Sequence, residues 1–559
     1  MLPIVKVSQS TCLAFLLWLI VAPAFGVTLP DGFVDEGVVS DLPGQPTSFV
    51  ARPDGGFYVA EKSGLVHAVE NGVPLATPFI DLSDEVNDRV DRGLLGIELH
   101  PNFPDLPWVY LIYTFDPPEL MAQNLTGPGA ADGNGNRVAR LVRVRADSAT
   151  EYRTAVPGSL EIILGANSRY DTIGDATGVH DTATPSCLDE AGNPLVDCLG
   201  VDEDSHTIGK MRFADDGALV VTHGDGASYR EVSALALEAL SLDSLRGKIL
   251  RIDADTGEGL ADNPFYDGNP ASNRSRVLAY GLRNPYSLAL QPGTGVPVVG
   301  DVGWERWEEV NAGAGRNFGW PCYSGIAGES LREVDYATLD ACQAMYDARE
   351  AVTAPVFSWH RGESGAVIVG DFERGDVFPA SLRGQLFFAD FIQGWIHHGE
   401  LALADEVPGS MLAGDEIALE DVAGRNGEPF ASDMPPISEM RFADDGALYY
   451  ASITTGEIRR IRYLGESAGT TGEPGESGSG EGSTGSESGT GAETGNGTET
   501  GGGTETGGSS ETGNGSESGD TGSGGAVVVG EGTGAMGPWA LLMVLLVLRS
   551  RTIRRCRCA

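Results

Sequence analysis

The nine residues "MRFADDGAL" stand at Met211–Leu219 and again, unchanged, at Met440–Leu448. Each copy runs an apolar stretch into an Asp-Gly turn, Asp216-Gly217 or Asp445-Gly446, and leaves it on a second apolar run, "VVTHG" (220–224) or "YYASI" (449–453). Asp-Gly between two such runs signals a β-hairpin, because the turn needs positive φ and glycine adopts it without steric cost. The same plan recurs in "FVARPDGGFYVAEKSGLVHAV" (49–69) and "LALQPGTGVPVVGDVG" (288–303). Further strand-like pieces are "WVYLIYTF" (108–115), "RLVRVRA" (140–146) and "GQLFFADFIQGWIHHG" (384–399), whereas only "YREVSALALEALSL" (229–242) carries a helical period. Many short strands at regular turn spacing predict an all-β chain, and repetition at blade-sized intervals favours a propeller over a sandwich. The repeated string therefore has a structural meaning first: it is a blade hairpin.

Around this region the chain changes character twice. Residues 1–26 read as an export signal: Lys6, an apolar run from Cys12 to Ala22, and small residues at Ala24 and Gly26. The run is shorter than the ~20 residues a membrane span needs. Residues 464–533 are almost entirely Gly, Ser, Thr and Glu without Lys or Arg. Such a segment buries too little to offset chain entropy and is expected to be a disordered linker. Residues 534–559 hold the apolar "MGPWALLMVLLVL" (536–548) and then Arg549, Arg551, Arg554, Arg555 and Arg557. This end resembles the C-terminal cell-surface sorting tags of myxobacteria, although Cys556 and Cys558 follow the apolar segment instead of preceding it. A transmembrane anchor with its basic end held inside is the alternative. Both readings place the protein in the cell envelope or at the cell surface, touching membrane through this tail alone.

Charge narrows the partners. Against 80 Asp plus Glu stand 37 Lys plus Arg, a formal charge of −43, which repels a nucleic-acid backbone. Between residues 27 and 463 lie Cys187, Cys198, Cys322 and Cys342. Four cysteines allow three pairings, and nearness favours Cys187 with Cys198 and Cys322 with Cys342, staples suited to an oxidising compartment.

Six strings occur in order: "RGLLGIELHPNF" (92–103), "SHTIGKMRFADDG" (205–217), "SLRGKILRIDADTGEG" (244–259), "AYGLRNPYSLAL" (279–290), "GDVGWERWEEVN" (300–311) and "NFGWPCYSG" (317–325). Together they resemble the glucose/sorbosone dehydrogenases, soluble sugar dehydrogenases dependent on pyrroloquinoline quinone (PQQ) and built as six-bladed β-propellers of four-stranded antiparallel blades. The resemblance spans nearly all of residues 27–463. It implies oxidation of an aldose or similar polyol to the lactone, with hydride passing to a Ca²⁺-bound quinone and then to an acceptor the sequence does not specify. His206 takes the place of the base, which suits an imidazole titrating near neutrality. Arg283 takes that of the group stabilising charge on the quinone oxygen. Asn284, Asp91 and Lys210 are expected at the cofactor. The carbonyls of Gly303 and Trp304 are expected on Ca²⁺, which prefers oxygen ligands.

Glu305, Glu308 and Glu309 read as surface or supporting groups, and "DADTGEG" (253–259) as a turn. Tyr286, Trp304, Trp307 and Trp320 could stack on a sugar or fill blade cores. One departure stands out. The family holds its tricarboxylate cofactor with a late Lys and an Arg pair, where this chain has Ile392 and Gln393, then Pro436 and Ser438. Either Lys62, Lys210, Lys248 or Arg361 substitutes, or PQQ does not bind, since buried carboxylates without cations are costly. Two other readings stay open: a non-catalytic binding propeller resembling the hedgehog-interacting relatives of the family, and a calcium-dependent lactonase.

Overall fold

In the strand Leu219–His223 successive side chains serve two neighbours: Leu219 and Val221 pack with Tyr110 and Ile112 on one side, Val220 with Leu288 and Val299 on the other. A strand buried on both faces reads as a continuous apolar run, and this is the pattern that the hairpins show. Fully burying one such side chain stabilises by about 1.5–3 kcal/mol.

The computed structural model describes residues 26–465, apart from 180–182, 326–331, 349–351, 363, 402–409 and 412–427. The fold is a six-bladed β-propeller of antiparallel blades. The inner strands are Pro46–Ala51, Leu94–Leu99, Ile208–Phe213, Pro285–Leu290, Val367–Phe372 and Ile437–Phe442. Each inner strand packs against the next, the sixth against the first. The ring closes because the early strand Phe33–Val39 pairs with the final strand Glu457–Tyr463 and so supplies the outer strand of the sixth blade. An apolar core lies between each neighbouring pair of blades: Phe49 and Val59 of the first, for example, meet Tyr449 and Ala451 of the sixth.

The two copies of the repeated string occupy equivalent hairpins of the third and sixth blades. Met211 and Phe213 pair with Val221 and Leu219, while Met440 and Phe442 pair with Tyr450 and Leu448. Both turns close alike, Gly217 N–H donating to Ala214 O and Gly446 N–H to Ala443 O, each at 2.9 Å, with Gly217 at φ 86° and Gly446 at φ 74°.

Helix is confined to short pieces. The 229–242 stretch yields a 3₁₀ turn, Ala234–Leu240, and sequence reading overlooked the α-helix Asp340–Ala348. The 3₁₀ turn is capped by Ser233 Oγ at its start and by Lys248, whose Nζ donates to Glu238 O (3.1 Å) and Ala239 O (2.8 Å) at its end. The segment 253–259 is a turn, with Gly257 N–H donating to Asp253 O at 2.9 Å. Cys187–Cys198 and Cys322–Cys342 are the disulfides. Among the described residues no helix is long and apolar enough to cross a membrane. The expected signal up to Phe25, the linker beyond Gly465 and the basic tail lie outside the described residues.

His223, at the end of its strand, makes the fold acid-sensitive. Burial first, then Arg246 and Lys248, pushes its imidazole down to about 3, with Gly200 O at 3.2 Å and Asp225 opposing. A depressed folded value means that stability is intact above the unfolded value near 6.5 and is lost as pH falls towards 3. His223→Gln is expected to flatten the decline of the urea midpoint between pH 7 and pH 4. An equally steep decline in the variant would contradict this assignment.

Candidate active site

Because the blades are antiparallel, the loop entering each inner strand and the loop joining the second and third strands of that blade open on the same face of the ring. On the third blade these loops carry His206, just ahead of Ile208–Phe213, and Asp225, just after Leu219–His223. His206 Nδ1 lies 2.9 Å from Asp225 Oδ1, and Asp225 Oδ2 accepts from Trp320 Nε1 at 2.7 Å. A carboxylate only accepts, so Nδ1 carries the proton and the Nε2 lone pair is free. Nε2 has no protein partner among the described residues. Histidine at φ 49° is in the left-handed region, held there as Gly226 N–H donates to His206 O at 3.1 Å. Backbone strain of this kind gathers at functional sites.

Burial, then the Arg283 charge, lowers the His206 imidazole below its ordinary value, with Asp225 opposing. The imidazole is therefore neutral at pH 7. Burial works against charge on Asp225 too, but His206 and Arg283 hold it below the usual carboxylate range.

The fourth blade brings Arg283 in from the loop before Pro285–Leu290. Its guanidinium lies beside both Trp304 and Trp320, 5.4 and 5.5 Å from the ring centroids. Arg283 Nη1 donates to Val302 O and Gly303 O, both at 2.8 Å, while its buried Nε has no hydrogen-bond partner among the described residues. Asp301 anchors the loop, accepting from the backbone N–H of Arg283 and of Asn284. Burial and the neighbouring Glu309 push the Asp301 carboxyl well up. Asn284 is half-buried here, and exposed Asp91 accepts from Ser205 Oγ at 2.6 Å, one residue from His206. Four expected residues, His206, Arg283, Asn284 and Asp91, thus stand on the mouth loops of three consecutive blades.

Lys210 lies elsewhere. It is 1% exposed and donates to Thr47 O and Leu95 O at 2.6 Å each, with Glu439 at 3.4 Å. The reason is its place within the inner strand Ile208–Phe213, which aims its ammonium at the neighbouring inner strands rather than at the mouth. The aromatic candidates divide. Trp304 and Trp320 form a cluster with Tyr336 at centroid distances of 5.0–6.1 Å, Tyr286 reaches Ser438 O, and Trp307 packs edge-on against His360. Glu305 is exposed, but Glu308 and Glu309 are buried supports rather than surface groups, and burial raises the Glu308 carboxyl to about 7.

The cofactor and metal can be tested against these residues. Arg361 Nη1 donates to Gly303 O at 2.7 Å and to Trp304 O, its Nη2 to Gly365 O at 2.7 Å, and its Nε lies 3.3 Å from Glu308 Oε1. The two carbonyls expected on Ca²⁺ are thus already held by guanidinium groups and do not fit the metal. PQQ fares similarly. Lys62 donates to Asp88 O, Lys210 and Lys248 are committed as above, and Arg361 is the carbonyl-holding cation. Ser438 Oγ turns away to Pro46 O. Near Lys62 stand Asp88, Asp91, Asp132 and Asp204, an acidic rim unsuited to a tricarboxylate.

Asp225 was missed in the sequence, whereas Trp320 was singled out as a stacking aromatic and Arg361 as a cofactor cation, and the structure gives them other partners, Asp225 and the carbonyls of Gly303 and Trp304. Asp225 had a usable signal: in a propeller the loop after the second strand faces the loop before the first, so "HGDG" (223–226) had to face His206. Among the described residues no three His, Cys, Asp or Glu side chains gather as a metal set, which leaves the lactonase reading unsupported. A cavity of 580 Å³ opens elsewhere, around the Asp216-Gly217 turn with Glu98, His100 and Phe213, and holds neither His206 nor Arg283.

Comparison with known proteins agrees with this architecture. The chain is 25% identical over 384 residues to the HIPL2 protein of Arabidopsis thaliana, covering 62% of this chain and about half, 51%, of that protein. It is 24% identical over 370 residues to the aldose sugar dehydrogenase YliI of Escherichia coli, covering 66% and 78%. The crystal structure of the soluble aldose sugar dehydrogenase of Escherichia coli in its apo form matches in fold, with a TM-score of 0.50 at 20% identity over 77% of this chain and 99% of that one. The model of the glucose/sorbosone dehydrogenase family matches residues 44–186 and 196–425, and the chain belongs to that family.

Proposed function

We propose that the mouth of the propeller is a sugar-oxidation site in which His206 removes the proton of the reacting hydroxyl while the hydride on the same carbon leaves to a two-electron acceptor, a quinone or dye, supplied from outside the chain. The observation that carries this reading is the chain Trp320–Asp225–His206, with a neutral imidazole whose Nε2 is unpartnered beside a buried guanidinium. Asp225 fixes the tautomer and offsets the charge that His206 gains. Arg283, packed against two indoles, places positive charge beside the oxygen as it becomes anionic. The exposed Asp91 carboxylate and the Asn284 amide are positioned to accept and donate hydrogen bonds to a polyol. Relatives named as sugar dehydrogenases support the substrate class.

The electron-accepting half is not of the family kind, because the cations and carbonyls that would hold PQQ and Ca²⁺ are committed within the protein. That same observation favours a second reading, a surface propeller that binds a sugar without turning it over. A panel of aldoses assayed with a dye acceptor, with and without added PQQ and Ca²⁺, separates the two. Oxidation of at least one aldose is expected. Saturable sugar binding with no oxidation in any arm would establish the binding propeller instead.

A further inference from the structure

From the oxygens around Arg361 we infer that this residue is the site's own cation, its guanidinium standing where a divalent ion would otherwise be held. The inference rests on the site described above but not on its turnover. Three kinds of oxygen converge on one side chain: the carbonyls of Gly303 and Trp304 from the fourth blade, the carboxylate of Glu308 from the same blade, and the carbonyl of Gly365 from the loop entering the fifth. Of the five N–H donors of a guanidinium, three are hydrogen-bonded to these carbonyls, and the charge faces the Glu308 carboxyl.

An all-oxygen set with one carboxylate is also what Ca²⁺ selects. The two cations compete for the same atoms. Gly303 O is shared between Arg361 at 2.7 Å and Arg283 at 2.8 Å, so a divalent ion on that carbonyl would stand against two guanidinium groups. Glu308, with a fully buried side chain, brings one carboxyl to this guanidinium, and one carboxyl is too little to compensate a dication. Arg361 is itself anchored at both ends: its carbonyl accepts from Gln393 Nε2 at 3.2 Å and its N–H donates to Arg306 O at 2.9 Å.

The test measures metal binding and needs no turnover. The full chain is titrated with Ca²⁺ while its thermal midpoint is followed, and with Tb³⁺, whose luminescence Trp304 would sensitise. Wild type is expected to show neither a saturable midpoint shift at millimolar Ca²⁺ nor Ca²⁺-competed Tb³⁺ emission. Arg361→Gln is expected to gain both, and Glu308→Gln in that background to lose them again. Arg361→Lys, which keeps a charge, stays blind to Ca²⁺. A saturable, Ca²⁺-competed Tb³⁺ signal in wild type overturns the inference even if no variant folds. An Arg361→Gln protein that folds but ignores Ca²⁺ overturns it as well.

Discussion

Glu439→Ala is expected to destabilise the propeller by about 3–5 kcal/mol, the usual consequence of leaving buried charges without their partner. Glu439 stands immediately before the second repeated string, as Lys210 stands immediately before the first. The two pair with each other at 3.4 Å. The arginines inside the strings complete the network: Arg212 Nη2 reaches Glu439 at 2.8 Å, Arg441 Nε reaches it at 2.6 Å, and Arg441 Nη1 reaches Glu98 of the second blade at 2.6 Å. Residues of the second, third and sixth blades meet in this way only at the ring's axis. Burial alone would raise the Glu439 carboxyl, but Arg441, Lys210 and Arg212 hold it well below the carboxylate range. Its stabilisation is therefore complete above the unfolded value near 4.3 and fades as pH falls below it. A urea midpoint measured at pH 7 reads the loss directly. Removing Arg441 as well should restore part of it, because one unpaired charge goes with its partner. If Glu439→Ala unfolds within about 1 kcal/mol of wild type, the axial network is not what stabilises the inner strands.

The repeated string thus performs one structural task twice, with opposite charges set before it. Its hairpins were legible because an Asp-Gly turn and its flanking strands are local features, settled within nine residues. His206 and Arg283 were proposed from the resemblance of "SHTIGKMRF" and "GLRNPY" to the family, and they share a mouth because each precedes an inner strand. Lys210 was not. Its neighbours Thr47, Leu95 and Glu439 are brought to it by ring closure, which no local pattern records. The occupancy of Gly303 O and Trp304 O by Arg361 is of the same kind, a contact between blades across 57 and 58 positions. The two disulfides were legible because their cysteines are close in sequence, and both short loops close as expected.

His206→Ala carries the other large expectation. Loss of a general base costs ~10²–10⁴ in rate. Because His206 bonds to Asp225 at the mouth and lies outside the strand ladders, the fold and the affinity for sugar should change little. Asp225→Asn should lower turnover through the tautomer, since an amide can offer its own N–H to Nδ1 and turn the protonated nitrogen towards the substrate. The lowered folded value of His206 places the acid limb of kcat/KM below pH 6.5, and taking away the Asp225 charge, which raises that value, should move the limb lower still. The most direct measurement is kcat/KM for aldose oxidation across pH 4–8 in wild type and His206→Ala, with the dye acceptor, PQQ and Ca²⁺ all supplied. The account predicts a wild-type profile falling on the acid side below pH 6.5 and a variant slower by ~10²–10⁴ on the plateau above it, the gap narrowing down the acid limb, with unchanged unfolding. Equal rates and equal profiles in the two proteins would contradict it.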